Sequence, residues 1–389
     1  MCAQEKNNRR RFLKNITAGA GSLAIGTAGL AAHPTELLAE GYQHAAPAFN
    51  MCGYAAPKIN TVRIGFIGLG MRGPGAVERM SFIEGVQIMG LCDKYPDRAD
   101  KAQSILQKAG LAAAVTYSGE EGWKKMCASP DIDLIYICTP WHLHTPMALY
   151  AMQQGKHVAV EVPAALTLEE CWQLVETSEK TRKHCMMLEN CCYDFFELLT
   201  LNMVRQGLFG ELVHAEGAYI HDLLNLNFDK TTGYADMWRL KENMKNGNRY
   251  PTHGLGPIAQ CMNINRGDRF DYLTSMSSND FMMQAHANSL AGKDDFFKPF
   301  AGKNYRGNMN TTLMHTVKGK TIMVQHDVTS PRPYSRIHLI SGTKGMASKW
   351  PSPQRIAFGH SWLKTEEMKA LEDKHTPEIV KKIGELAKK

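Results

Sequence analysis

Val62-Arg63-Ile64-Gly65-Phe66-Ile67-Gly68-Leu69-Gly70-Met71-Arg72-Gly73 is the stretch that decides the fold of this 389-residue chain. Its first six residues are short, apolar and rich in β-branched side chains, as suits a strand buried on both faces of a parallel sheet. The GxGxxG that follows closes the strand and opens a helical stretch, Gly75 to Ile83. The next apolar run, Val86 to Cys92, ends on Asp93, about 20 residues past the last glycine, where a dinucleotide fold places its ribose-binding acid. Glycines let the backbone approach a pyrophosphate, the helix N-terminus offers it free N–H groups, and Asp93 can accept from the adenosine ribose hydroxyls. A carboxylate there repels a 2′-phosphate, so NAD is expected rather than NADP. Met71 and Arg72 complete the cofactor loop, and Arg72 offers a cation to phosphate.

The alternation continues through Leu134 to Cys138, a helix from about His144 to Gln154, His157 to Val162, a helix from Leu168 to Lys180, and Cys185 to Leu188. Strands alternating with helices predict an α/β chain with a Rossmann-type, doubly wound parallel sheet as its NAD-binding domain, residues 61–190. Ligands of such sheets sit off the carboxyl ends of the strands. That rule gives most weight to Asp93, Thr139-Pro140-Trp141-His142, Glu161-Val162-Pro163 and Glu189-Asn190. Beyond about residue 195 the pattern shifts to longer strands: Glu211 to Ile220, Asp271 to Ser278, Thr311 to Val317, Thr321 to Val328 and Arg336 to Ser341. An α+β substrate domain, 191–389, with an open, mostly antiparallel sheet is expected. One face would cover the nicotinamide and the other would be free to pack on a second subunit, so a homo-oligomer is expected.

Gly68 to Gly73, Thr139 to His144 and Gly155-Lys156-His157-Val158-Ala159-Val160-Glu161-Val162-Pro163 resemble the glucose–fructose oxidoreductase-like and inositol dehydrogenase-like enzymes. In that family the third segment normally reads G-K-H-V-x-x-E-K-P, and Val162 stands here in the place of its lysine. The family's Asp-x-Gly-x-His is replaced by Thr252-His253-Gly254-Leu255-Gly256, which argues against an ordinary polyol dehydrogenase. The departures resemble one branch. Tyr250-Pro251-Thr252-His253-Gly254-Leu255-Gly256-Pro257, with Glu161-Val162, Glu189-Asn190-Cys191-Cys192-Tyr193, Trp238-Arg239 and Gly217-Ala218-Tyr219-Ile220-His221-Asp222, is similar to glycoside hydrolase family 109. Known members act as α-N-acetylgalactosaminidases using NAD, so the resemblance implies a glycosidase with a small-molecule carbohydrate substrate.

The chemistry so implied is redox-neutral and retaining. Bound NAD takes hydride from sugar C3, the ketone acidifies C2, a base removes that proton, the C1 oxygen leaves, water adds, and the hydride returns. No flanking pair of carboxylates is needed, because the cofactor performs the difficult step. His253 is the favoured acid–base group, since an imidazole exchanges protons in both directions near neutrality, and the Gly-Leu-Gly-Pro after it predicts a tight turn. Tyr193 and Tyr250 are phenols for C2 deprotonation or for holding a sugar hydroxyl; Glu161 would orient the nicotinamide ribose or assist proton transfer. Tyr219, Arg239 and Tyr334 are carried over as sugar contacts, with Pro251 and Thr252 from the same motif as His253. Trp141-His142-Leu143-His144 should border the nicotinamide end, beside Val162 and Asn190. The His-x-His finds no matching set of ligands elsewhere, so no metal is expected.

Composition bounds the rest. At 44% hydrophobic and 21% charged residues, the chain is neither disordered nor collagen-like nor a polytopic membrane protein. The formal charge of +7 points naively to nucleic acid. Five of the 45 Lys+Arg and one of the 38 Asp+Glu fall in residues 1–34, however, leaving +3 for the remainder and no reason to expect such a partner. Asn8-Arg9-Arg10-Arg11-Phe12-Leu13-Lys14, followed by an uncharged Gly/Ala-rich run to Ala32, resembles a twin-arginine export signal. The export machinery is thus an expected partner, the periplasm the expected location and export in folded form the expected route, with no stable membrane anchor. Residues 35–60 read as a linker or arm. The ten cysteines are scattered without a disulfide-scaffold pattern and read as buried thiols. Two rival readings are an exported NAD(P)-dependent sugar oxidoreductase that reduces one sugar while oxidising another, and a sugar or nucleotide sensor on the same fold.

Overall fold

Along β1 (Val62–Ile67), Ile64 and Phe66 face one layer of the core and Ile67 the other, all nearly inaccessible, so this strand must be covered on both sides. The cover is supplied by helices that alternate with parallel strands. The elements are α1 (Gly73–Met80), β2 (Val86–Asp93), α2 (Pro96–Lys108), β3 (Val115–Ser118), α3 (Gly122–Ala128), β4 (Leu134–Ile137), α4 (Trp141–Gln153), β5 (His157–Val160), α5 (Leu168–Thr181) and β6 (Cys185–Met187). They form a six-stranded sheet of order β3-β2-β1-β4-β5-β6 in which every pairing is parallel. That is the doubly wound dinucleotide-binding order, whose direction reverses between β1 and β4. The computed structural model describes residues 49–230 and 236–386. The export segment 1–34 and most of the 35–60 arm lie outside the described residues.

Helix α4 starts at Trp141, three residues earlier than the periodicity predicts, with Pro140 at its N-cap. Trp141, His142 and Leu143 therefore sit in the first turn of a helix, at the switch point of the sheet.

The remaining chain builds the second layer: α6 (Phe195–Arg205), β7 (Leu212–Ile220), α7 (Leu224–Asn227), α8 (Trp238–Glu242), α9 (Thr252–Cys261), β8 (Phe270–Ser277), α10 (Met283–Ala291), β9 (Asn310–Thr316), β10 (Thr321–Asp327), β11 (His338–Gly342), β12 (Met346–Ser348), β13 (Arg355–Ala357), α11 (Thr365–His375) and α12 (Glu378–Leu386). Its seven strands run β13-β12-β11-β7-β10-β9-β8, all antiparallel except β7 with β10. One face is sealed by α6 and α9 through Phe196, Leu199, Phe209, Ile258, Ile322, Val324 and Ile340. No helix of the described residues is long and apolar enough to cross a membrane.

The predicted turn after His253 is instead part of α9. Its glycines serve proximity rather than reversal. A Cβ on Gly254 would lie 2.6 Å from the backbone nitrogen of Ala218, and one on Gly217 would lie 2.4 Å from the Gly254 carbonyl oxygen. Helix and strand touch backbone to backbone here, and that contact fixes the height of His253 above β7.

Candidate active site

The loop after β1 makes the cofactor end. Gly68 has φ +90°, and a Cβ there would lie 2.7 Å from the carbonyl carbon of Cys138; a Cβ on Gly73 would lie 2.1 Å from the Gly68 oxygen. Only glycine fits at either place, which leaves the loop backbone and the start of α1 open to a pyrophosphate. Gly68 borders a cleft of about 580 Å³, within the range of about 300–1,000 Å³ usual for cofactor sites, while Gly73, expected on the cofactor, packs beneath the Gly68 carbonyl and does not line it. Gly68, Gly70, Met71, Arg72, Asp93, Trp141, His142, Leu143, His144, Glu161, Val162 and Asn190 all line it. The cradle, the acid after β2 and the switch-point position together fit a dinucleotide.

Several of these side chains already have partners. Asp93 accepts from the backbone N–H of Leu69 at 2.7 Å and of Tyr95 at 3.0 Å, so the ribose acid also staples the glycine loop to the end of β2. Arg72 reaches across to Glu161, Nε to Oε1 at 3.0 Å, and the Tyr136 hydroxyl donates to the same oxygen at 3.4 Å. The predicted phosphate-facing arginine is thus paired with the predicted ribose-orienting glutamate. Burial opposes the Arg72 charge, and Glu161 more than offsets it, which raises that guanidinium further. His144 is fully buried with its ring nitrogens 2.7 Å from the carbonyl oxygens of Pro163 and Thr139, tying α4 to the end of β5.

The other end of the cleft belongs to the second sheet. His253 on α9, Tyr219 on β7, Arg239 on α8, and Tyr250 and Tyr334 from loops all reach it. Aromatic rings set their spacing. Tyr250 lies 4.8 Å edge-on to His253 and stacks 5.2 Å from Trp141, and Tyr219 lies 5.0 Å from His253. The Arg239 guanidinium sits 5.0 Å from the Trp141 ring. Val162 packs with Trp141 and Tyr250 in one small apolar cluster. Burial pushes the Tyr250 phenol well above its ordinary range and Tyr334 up to about 12, so both stay protonated at neutral pH.

Not every expected side chain arrives. Tyr193 is 58% exposed at the end of the short 3-10 turn Asn190–Tyr193 and does not line the cleft. Pro251 and Thr252 lie at the start of α9, behind the wall rather than on it. Conversely, the structure brings to the site His221 and Arg336, which were given no role there, and finds a partner for Glu189, singled out only by its place past a strand end. His221 lines the cleft and takes part in a 3.0 Å hydrogen bond between its Nδ1 and the Tyr219 hydroxyl. Arg336 also borders it, donating to the Cys191 sulfur at 2.6 Å and pairing with Asp194. Glu189 comes from the end of β6 to within 2.7 Å of His253 Nδ1. Its position past a strand end was visible, but its partner lies 64 residues further on. Glu189, Cys191 and His253 gather three potential ligand atoms within 4.8 Å, and the guanidinium on the sulfur opposes a metal cation there. The nine cysteines among the described residues are free, as expected of thiols without a disulfide pattern, but Cys52 and Cys171 are exposed rather than buried.

A parallel sheet with a glycine cradle, opening into a cleft whose far wall is the mixed sheet, defines a nicotinamide dinucleotide-dependent enzyme of two-domain dehydrogenase architecture. Residues 62–189 match the oxidoreductase family with an NAD-binding Rossmann fold, and residues 193–389 match the glycosyl hydrolase 109 C-terminal domain. A protein of Bacteroides fragilis named alpha-N-acetylgalactosaminidase is 52% identical over 328 residues, 83% of this chain and 76% of that one. Glycosyl hydrolase family 109 protein 2 of Phocaeicola vulgatus is 49% identical over 346 residues, 87% of this chain and 83% of its own. The chain belongs to glycosyl hydrolase family 109. Among solved structures, an inositol dehydrogenase homolog complexed with NAD+ from Azotobacter vinelandii (TM-score 0.58, 16% identity, 78% of this chain and 75% of that one) shares the fold. So does the aldose-aldose oxidoreductase of Caulobacter crescentus (TM-score 0.56, 17% identity, 80% and 89%).

Proposed function

We propose that this protein is an exported glycosidase that removes terminal α-N-acetylgalactosamine, or a closely related sugar, with retention, while holding one NAD throughout. The observation that carries the reading is the closure of one cleft by two sets of groups: the glycine cradle at one end, and His253, Tyr250, Tyr219 and Arg239 at the other. The name of the Bacteroides fragilis relative supports the choice of sugar.

When bound, NAD supplies a reversible hydride acceptor beside sugar C3, which makes the neighbouring C2 proton removable. The chain does the rest. His253 takes the C2 proton and returns one, a task suited to an imidazole near neutral pH. Tyr250, kept protonated by burial, donates a hydrogen bond to a sugar oxygen and is not the base. Arg239 offers fixed N–H donors to ring hydroxyls, and Tyr219 gives an aromatic face to the sugar. Trp141, Val162 and Tyr250 form an apolar wall that excludes water beside the reacting carbon. Val162, where the resembling dehydrogenases carry lysine, has no group to take the proton of the C3 hydroxyl, so that proton passes to water as the hydride leaves and is regained when the hydride returns, while the C2 proton stays with His253.

The test uses a 4-nitrophenyl α-N-acetylgalactosaminide in deuterated water. Expected are nitrophenol, free N-acetylgalactosamine carrying deuterium at C2, no net NADH, and loss of most turnover in His253→Ala with NAD retained. Accumulation of NADH or of a sugar acid would overturn the reading in favour of an oxidoreductase. Sugar binding without turnover would do so in favour of a sensor.

A further inference from the structure

We infer that Glu189 is the positioning residue of the acid–base group: it holds the His253 ring with its proton on Nδ1, turns Nε2 to the sugar as a base, and stabilises the imidazolium that forms. The inference rests on the glycosidase reading above, which assigns the C2 proton to His253.

Glu189 is 5% exposed, and its Oε1 accepts from His253 Nδ1 at 2.7 Å and from the Cys191 backbone N–H at 2.9 Å. An ionised carboxylate can only accept, so the proton of that short contact belongs to Nδ1 and the free lone pair of a neutral ring belongs to Nε2. Burial opposes ionisation of Glu189, but His253, the Cys191 N–H and the Thr252 side chain together outweigh it and hold the carboxyl below its usual range. The groups around the ring are Tyr250 from the preceding loop, Tyr219 from β7, His326 from β10 and Cys191 from the 3-10 turn, with Arg336 beyond Cys191. Burial keeps Tyr250 a neutral phenol, keeps His326 uncharged and keeps the Cys191 thiol protonated. Among the described residues, Glu189 is therefore the anion in contact with the ring. The two aromatic edges block the ring from tilting, and the carboxylate fixes which nitrogen carries hydrogen.

The proton balance is simple. The C2–H bond breaks, its electron pair stays on the sugar, and the proton passes to Nε2. Glu189 keeps its charge and takes no proton, in the manner of the acid in a catalytic triad. In the reverse step Nε2–H supplies the proton to C2.

Glu189→Gln keeps an acceptor for Nδ1–H and for the Cys191 N–H while removing the charge. Expected are unchanged NAD content and thermal stability, KM within about 3-fold, and kcat lower by at least about 100-fold. The acidic limb of kcat/KM should move to lower pH, because loss of the anion disfavours the imidazolium. Glu189→Asp should recover part of kcat. The 15N spectrum of His253 in the wild-type holoenzyme gives a readout that needs no variant and no turnover: above the acidic limb it should show Nδ1 protonated and Nε2 bare. An Nε2–H tautomer overturns the proposal, and so does a Glu189→Gln enzyme with wild-type kcat and an unmoved limb. Failure of the underlying reading looks different, since a fully active His253→Ala enzyme would remove the group that Glu189 serves.

Discussion

At Tyr250, burial settles a choice that the motif leaves open. A phenol at the mouth of a cleft can serve as base or as donor; this one is stacked on Trp141, edge-on to His253, and held far from ionisation. Tyr250→Phe should therefore keep the fold, the NAD and the acidic limb of the rate profile, and lose one hydrogen bond to the sugar. A hydrogen bond between neutral partners contributes about 0.5–1.5 kcal/mol, or roughly 2–10-fold in kcat/KM. Steady-state kinetics on the nitrophenyl glycoside check this, and a loss approaching that of His253→Ala would make the phenol the base instead. Tyr193 stands in the same short motif as Asn190, and only the backbone path of the 3-10 turn sends the former to solvent while the latter stays at the cleft. Glu189 shows the reverse case. Its strand-end position was legible, but a 2.7 Å contact with a side chain 64 residues away has no local signature.

Individual elements explain why most of the parallel sheet could be read and α9 could not. β1 and its neighbours are buried on both faces, so their sequences are nearly continuous apolar runs, and the glycines that follow satisfy local turn geometry. In Thr252-His253-Gly254-Leu255-Gly256-Pro257 the glycines answer to another part of the chain, since β7 presses against them with its own Gly217. Local propensity for Gly and Pro argues against a helix, and tertiary packing overrides it. The prediction at this scale is Gly254→Ala. A methyl 2.6 Å from the Ala218 nitrogen meets backbone that cannot swing aside, so α9 must lift from β7. Overpacking of this kind costs about 1–3 kcal/mol. A lower melting temperature is expected, with a fall in kcat that exceeds the loss of folded protein, because the helix carries His253 away from Glu189. Circular dichroism melts beside active-site titration check both parts. Wild-type kcat per folded molecule would show that the close approach serves stability alone.

For the whole molecule, the proposed location constrains the proposed chemistry. The cleft joins both sheets, with the glycine cradle at one end. A net oxidation outside the cytoplasm would strand the cofactor as NADH after one turnover, whereas a cycle that returns its hydride needs none from the surroundings. The proposed export in folded form is the route that matches this chemistry, and Arg9-Arg10 followed by Arg11-Phe12-Leu13-Lys14 is the feature behind that proposal. Replacing both Arg9 and Arg10 by Lys preserves the charge of residues 1–34 and removes only the guanidinium pair, so a change in location cannot be ascribed to net charge. The variant should remain in the cytoplasm, fully active and carrying NAD, while the wild type appears in the periplasmic fraction with NAD that survives prolonged dialysis. Fractionation followed by enzymatic measurement of bound NAD reads both outcomes. If the lysine pair is exported as well as the arginine pair, the address is of another kind. If the exported wild type instead arrives without NAD, the cofactor must be obtained outside, and the argument from compartment to a redox-neutral cycle fails.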